Sequence, residues 1–408
     1  MKSKNLVVLA TTIGTVLEWS EFICYGYLTP KLSTLFFSEH RQHALLFTFA
    51  IFATSYIARP LGALFFGYIG DYHGRKISLF YSIFLMGLAT FIIALTPTYN
   101  TIGGYATAIL IICRLIQGMA VAGEFTGAAI FIIEHYKGKY PTSAVSWVSF
   151  SSALGMSLGA GIATIVLLPG MPTWAWRIPF LIGFLGCILG GIFRLVTMES
   201  PKFKIAKDSN SLSILQFQKK LFNYSWELRE RFFKSFLIAA FVGVYICICN
   251  IWWSAYVSIS STSHIGQLFA FYGNIMVVLL TPITAFLVDY FDLDYKKVMK
   301  YGLILSFLSV PGIFFITDYR NSAFMFLCAQ AIYAINNVMV TATMFRYLSE
   351  IFPVEIRYFS LGVSWSTAVA LFGGTAPFLA QIIIANTNSS MCIALYVATF
   401  GVISSLIL

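Results

Sequence analysis

Gly67-Tyr68-Ile69-Gly70-Asp71-Tyr72-His73-Gly74-Arg75-Lys76 is a short charged turn between two long apolar runs, 44-69 and 77-96. A bilayer core of about 30 Å takes about 20 apolar residues as a helix. Both flanks are long enough to cross it. The stretch therefore reads as the bend of a membrane hairpin, where a Gly-containing turn presents one carboxylate and two cations to neighbouring helix ends.

The same rhythm runs through the whole chain. Apolar runs occupy 12-36, 44-69, 77-96, 102-133, 143-168, 176-197, 233-258, 265-289, 298-317, 322-349, 358-386 and 391-408, which makes twelve predicted spans. Composition agrees. Of 408 residues, 59% are apolar and 10% charged, whereas a soluble domain carries about 25% charge. With 39 Phe, there is more apolar bulk than one soluble core hides. Lys2 and Lys4 lead into a run that holds Glu18 and Glu21. A signal peptide's apolar region is shorter and uncharged, so this run is expected to be the first membrane helix.

The net charge of +10 is confined to short connections. That distribution follows the positive-inside rule and implies no nucleic-acid partner. Lys2, Lys4, Arg75, Lys76, Lys137, Lys139, the cluster from Arg194 to Lys234, Lys296, Lys297, Lys300, Arg346 and Arg357 fall on one side. Arg41 and Arg320 fall on the other, with Lys31 and Arg177 near its helix ends. The basic side is read as cytoplasmic, with both termini there, and Trp174 and Trp176 as anchors at the outer interface.

The longest connection, 198-232, is basic and central. Its Leu212, Leu215, Phe222 and Trp226 suit either a surface amphipathic helix or a flexible linker. It divides the chain into a six-helix bundle (1-198), a basic linker (199-232) and a second six-helix bundle (233-408). The halves echo each other. Asp71 follows the second span and Asp289 the eighth; Glu134 ends the fourth and Glu350 the tenth. The expected fold is an all-α membrane protein of twelve helices in two six-helix pseudo-repeats, an architecture used by secondary transporters.

Charge inside a span costs roughly 2.5–3.5 kcal/mol at the helix centre. Glu18, Glu21, Arg59, Arg114 and Glu124 all lie well inside spans. They must pair or face an aqueous cavity. Glu18 and Glu21 share a helix face, with Tyr25 one turn beyond Glu21. Arg114, Gln117 and Glu124 fall within an arc of roughly 80° on the fourth span. These residues either handle protons and substrate or form a structural ion-pair network between helices. Burial raises a carboxyl's pKa and a neighbouring arginine lowers it, so a glutamate beside a movable arginine can titrate as the protein changes state. The second half offers neutral groups instead: Asn250, Trp252, Trp253, Gln330, Asn336 and Asn337 suit substrate orientation or helix packing.

The five histidines (His40, His43, His73, His135, His264) sit in loops or at span ends, so carboxylates carry any coupled protons. The seven cysteines lie in apolar runs without metal-ligand or disulfide spacing. No nucleophile–base pair, metal set or phosphate loop is present, so neither an enzyme nor a cofactor is expected. Gly118, Gly123 and Gly127, and Gly155 and Gly159, are small-residue patterns that let helices approach closely.

The opening stretch resembles the GxxxDxxGR[RK] signature of the major facilitator superfamily. That resemblance implies the major facilitator fold, alternating access, and a conformational latch built from Gly67, Asp71, Gly74, Arg75 and Lys76. Further stretches are similar to the superfamily's metabolite:proton symporters, which include proline/betaine, 2-oxoglutarate, citrate and shikimate carriers. They are Gly14 to Gly26 around Glu18-Trp19-Ser20-Glu21-Phe22, Ala58-Arg59-Pro60-Leu61-Gly62, Arg114-Leu-Ile-Gln117-Gly118 with Gly123-Glu124, Trp176-Arg177-Ile-Pro179-Phe180, and Glu199-Ser200-Pro201. Glu350-Ile-Phe-Pro353 and Phe372-Gly-Gly-Thr-Ala-Pro377 extend the likeness into the second half. Two departures stand out: Ser20-Glu21 replaces the usual aromatic-Asp, and the copy around Asp289 lacks its Gly-Arg.

The resemblance implies a proton-coupled importer of a small carboxylate or zwitterion in a cytoplasmic (inner) membrane, working as a monomer. Its partners would be a small-molecule substrate, protons and the lipid bilayer. An exporter of the same fold, or a transport-inactive sensor on this scaffold, stays open as an alternative.

Overall fold

With no water in a bilayer core, an apolar run must close its backbone hydrogen bonds within itself, and the helix does so. The computed structural model describes residues 2–37, 44–136, 138–168, 170–196, 199–200, 203, 228–253, 256–257, 265–319 and 322–408. The first six long helices are α1 (Lys2–Phe36), α2 (Ala44–Tyr72), α3 (Arg75–Leu95), α4 (Gly104–His135), α5 (Pro141–Val166) and α6 (Ile178–Val196). The rest are α7 (Arg229–Ile246), α8 (Ile265–Tyr290), α9 (Tyr295–Tyr319), α10 (Ala323–Glu350), α11 (Arg357–Ala368), α12 (Ala376–Thr387) and α13 (Ser390–Ile407). A π-helical segment, Cys247–Trp252, continues α7, and another, Val369–Gly373, continues α11 towards α12. Among the described residues, ten helical stretches from Arg75 onward are long and apolar enough to span a bilayer. With α1 and α2, of 35 and 29 residues, that makes twelve span-length helical stretches among the described residues. The apolar positions expected to form an amphipathic helix, Leu212, Leu215, Phe222 and Trp226, lie outside the described residues, as do His40, His43 and His264.

The chain forms two compact units, residues 1–135 with 151–211, and residues 136–150 with 212–408. In the first unit, glycines set the helix spacing. A Cβ on Gly118 would strike the Ser55 backbone, and one on Gly62 would strike the Met119 backbone, so α2 and α4 run backbone against backbone. Gly155 and Gly159 of α5 face the carbonyls of Val16 and Ser20 on α1 in the same way. Small residues are what permit such approach in a membrane, where burial from water supplies no drive. One end of this unit is an apolar core in which Tyr25, Leu28, Phe36, Trp176 and Phe180 are buried together. Trp176, expected as an interfacial anchor, belongs to that core: it meets Phe36 edge-on at 5.5 Å and is 3% exposed. Trp174 is the exposed member of the pair.

In the second unit Gly243 of α7 and Gly373 face each other, so that a Cβ on either would stand 3.2 Å from the other's Cα, and Tyr245 stacks on Tyr333 of α10 at 5.5 Å. At the turn after α8, Asp292 takes a left-handed backbone (φ 49), as Gly74 takes a positive φ (130) after α2.

Candidate functional site

The buried charges of the first unit form three groups. The first surrounds Gln117 of α4. Its Nε2 donates to Glu21 Oε1 at 2.9 Å and to Thr90 Oγ1 at 2.8 Å, and its Oε1 accepts from Arg114 Nη1 at 2.9 Å. These partners fix the amide's orientation, since only the nitrogen can donate to the carboxylate. Arg114 Nη1 is 3.7 Å from Glu21 Oε1, and its guanidinium lies over the Tyr25 ring at 4.0 Å. Tyr25 follows Glu21 by one helical turn, so α1 offers the arginine a carboxylate and a π-face together. Arg59 of α2 sits over the rings of Tyr56 at 4.3 Å and Phe22 at 4.8 Å. Arg59, Arg114, Glu21 and Gln117 are all buried.

The second group lies one to two turns along α1 towards its N-terminus. Glu124 of α4 is gripped by both terminal nitrogens of Arg194 on α6, and Arg194 also donates to the Leu79 carbonyl. Ser82 of α3 donates to Glu124 Oε2 at 3.2 Å. Gly14 makes room for this pair, because a Cβ there would press on the Arg194 guanidinium and on Glu124. The sequence places Arg194 at the head of the basic loop cluster and offers Arg59 and Arg114 as partners for Glu124. The structure instead puts Arg194 inside α6, 2% exposed, as the partner of Glu124. Its position at the end of an apolar run, just before polar residues, hides this role from the sequence.

Glu18 stands apart. It is 4% exposed, and among the described residues neither carboxyl oxygen has a hydrogen-bond partner. It lines a cavity of about 10 Å³ together with Gly14, Ser82, Met86, Glu124 and Cys187, a space of about one water.

The third group is the charged turn. Arg75 pairs with Asp71 at 2.9 Å and with Glu134 at 3.3 Å, and it donates to the Gly70 carbonyl at 2.7 Å. Ser200 Oγ donates to Glu134 at 2.5 Å. Glu199 accepts from the Lys76 backbone N–H at 3.1 Å, and Lys76 Nζ bonds the Leu195 carbonyl at 2.8 Å. A carboxylate at the first turn of α3 also complements the helix dipole. Gly67 lies on α2 just before this turn.

The second unit carries a counterpart. Asp289 accepts from the backbone N–H groups of Thr142 and Ser143 at 3.2 and 2.6 Å, capping the start of α5, and from Arg346 Nη1 at 3.3 Å. Arg346 also pairs with Glu350 at 3.4 Å. The Asp–Arg–Glu trio of the first half thus recurs, with its cation supplied from α10 rather than from the turn. The sequence shows only that the Gly-Arg after Asp289 is missing.

The neutral residues of the second half divide. Asn250 lies in the π-helical segment, donates to the Ala270 carbonyl at 3.4 Å and accepts from Asn274 at 3.4 Å. Gln330 donates to the Cys249 carbonyl at 3.4 Å, so three amides gather where the helix ladder is disturbed. Such π turns recur at functional positions. Trp253 is fully buried edge-on against Phe326 at 5.9 Å. Asn336 donates to Ser309, tying α10 to α9, and the Asn337 carbonyl accepts from Thr341 at 2.8 Å. Asn274 was not singled out by the sequence.

The comparisons agree with this architecture. The family described as Major Facilitator Superfamily matches residues 16–362. The proline/betaine transporter of Escherichia coli (strain K12) is 30% identical over 414 residues, covering 97% of this chain and 81% of that protein. A crystal structure of a double-tryptophan mutant of XylE superposes with a TM-score of 0.81 at 17% identity, covering 98% of this chain and 94% of the other. The structure of the proton:xylose symporter XylE bound to 6-bromo-6-deoxy-D-glucose gives 0.80 at 17%, covering 99% and 95%. The structural likeness carries the fold, and the family match over most of the chain carries membership: this chain is a membrane transporter of the major facilitator superfamily.

Proposed function

We propose that the chain is a proton-coupled symporter that imports a small carboxylate or zwitterion by alternating access. The observation that carries this reading is the buried set of Glu21, Gln117, Arg114 and Tyr25. A guanidinium held by a carboxylate, an amide and an aromatic face is suited to take a substrate carboxylate, and a carboxylate that loses its cation is suited to take a proton. The likeness to the proline/betaine transporter of E. coli favours a zwitterion within that class. In this reading the protein sits in the cytoplasmic membrane with both termini inside, acts as a monomer, and pairs a six-helix bundle (1-198) with another (233-408) through the 199-232 linker. Gly67, Asp71, Gly74, Arg75 and Lys76 form its latch. Asn250, Trp253, Asn336 and Asn337 are the second-half candidates for substrate contact.

A proton crossing 100 mV releases about 2.3 kcal/mol. At 1.36 kcal/mol per decade, that drives roughly fifty-fold accumulation. A transport-inactive scaffold draws its support from the Gly-Arg missing after Asp289, and Arg346 beside that carboxylate weakens the argument.

The test is proteoliposome uptake with an internal pH dye, adding proline, betaine and small carboxylates one at a time. Substrate-dependent acidification that disappears in Glu21→Gln is the expected result. Alkalinisation on substrate entry would indicate antiport, and uphill uptake surviving in Glu21→Gln would remove Glu21 from the coupling role.

A further inference from the structure

Three carboxylates are spaced along one face of α1. Glu21 is at the Gln117 cluster and Glu18 lies three residues before it. The Glu124–Arg194 pair rests against Gly14, four residues before Glu18. At 1.5 Å per residue these levels are about 4.5 and 6 Å apart. Residues three and four apart on a helix lie on the same side, so Glu18 and the pair seated at Gly14 are neighbours. They line the same cavity. The charged groups facing Glu18 are Glu124 from α4, Arg194 from α6, Arg59 from α2 and Glu21 from its own helix; Cys187 of α6 and Ser82 of α3 complete the wall. Of the carboxylates here, Glu21 has an amide and Glu124 an arginine and a serine, while Glu18 has, among the described residues, no hydrogen bond on either oxygen. Leaving the oxygens of a buried carboxylate without hydrogen bonds is costly.

We propose that Glu18 and Glu124 form a two-carboxylate proton site served by one arginine, in which a proton held on Glu18 passes to Glu124 as Arg194 passes from Glu124 to Glu18. The inference rests on the proton-coupled reading and names groups that carry the proton below Glu21. The Glu18 O–H bond breaks, one water in the cavity relays the proton, and a Glu124 oxygen gains it. Arg194 leaves that oxygen pair and takes up the new carboxylate at Glu18. One proton and one guanidinium serve two carboxylates before and after, so the buried charge is constant throughout. The step moves the proton along α1 towards the end of the unit that carries Asp71 and Glu134. Gly14 gives the guanidinium the space in which to move.

The experiment is infrared spectroscopy of the whole protein in lipid nanodiscs at neutral pH, with no substrate added. A protonated carboxylic acid has a carbonyl stretch well separated from that of a carboxylate. Wild type is expected to show this band. Glu18→Gln is expected to remove it and Glu21→Gln to leave it. Glu124→Gln is also expected to remove it, although Glu18 is intact, because Arg194 then turns to Glu18. A purely structural role for Glu124 would leave the band in place. No band in wild type, or a band that persists in Glu18→Gln, overturns the site; a band that persists in Glu124→Gln overturns the exchange. Should Glu18→Gln fail to fold, Glu18→Asp must shift the band, and an unshifted band overturns the assignment. The two readings fail separately. Substrate-driven acidification without the band defeats this inference alone, and the band without proton flux for any compound defeats symport alone.

Discussion

Gln117 donates to Glu21 at 2.9 Å, and that bond holds the carboxylate 3.7 Å from Arg114. The amide is the joint of the cluster, since it also receives Arg114 and bonds Thr90. Hydrogen bonds to charged groups contribute about 1.5–3 kcal/mol each. Gln117→Leu is therefore expected to lower kcat/KM for substrate-driven proton uptake by roughly 10- to 150-fold at 1.36 kcal/mol per decade, with the protein still folded. Initial rates in proteoliposomes check this, and an unchanged rate would show that Glu21 and Arg114 need no positioning.

Asp289 has a 1% exposed side chain and caps α5 through Thr142 and Ser143 while pairing with Arg346. Losing an N-cap costs about 0.5–2 kcal/mol. Asp289→Ala also strips Arg346 of one acceptor, so the expected loss is about 1–3 kcal/mol. Asp289→Asn keeps the cap and falls between. Thermal unfolding in detergent ranks the three proteins, and equal midpoints would contradict the capping role.

Gly62→Ala and Gly118→Ala each drive a methyl into the backbone of the facing helix. Overpacking typically costs about 1–3 kcal/mol, and here a rigid main chain is the obstacle, so both variants are expected at the upper end or beyond. Gly161→Ala meets open space and is expected to be neutral or slightly stabilising, as alanine is the better helix former. Yield of monodisperse protein and its melting temperature distinguish these cases.

Gly74 combines a φ of 130° with a Glu199 carboxylate where its Cβ would stand. Gly74→Ala is expected to cost about 1–3 kcal/mol through backbone strain. Shortening the obstacle in Gly74→Ala/Glu199→Ala relieves the clash but leaves the strain. The double variant should therefore remain less stable than Glu199→Ala in thermal unfolding, and equality between those two would show that φ carries no penalty.

The twelve spans were legible because length and apolarity alone specify them. Glu18, Glu21 and Tyr25 on one span, and Arg114, Gln117 and Glu124 on another, were legible as sets because helical periodicity puts each set on one face. Pairing across helices was not. Arg194 closes an apolar run next to a basic loop, and a sequence reads such a residue as loop. Trp176 carries an interfacial signature, yet the core around Phe36 and Phe180 takes it in. The π-helical segments at Cys247–Trp252 and Val369–Gly373 have no periodic signal of their own in the sequence. Arg346 could not be matched with Asp289 from spacing, because the two sit on different helices.

The turn after α8 carries one more consequence. Asp292 has a positive φ (49°) at the place where Gly74 has one (130°) in the first half, and Arg346 supplies the cation that Arg75 supplies there. Letter by letter, the second copy of the motif is lost. Counted as a positive-φ turn residue and a cation beside the aspartate, it persists. A comparison of the two halves that scores residue identity will understate their kinship, and one that scores backbone handedness and field will recover it.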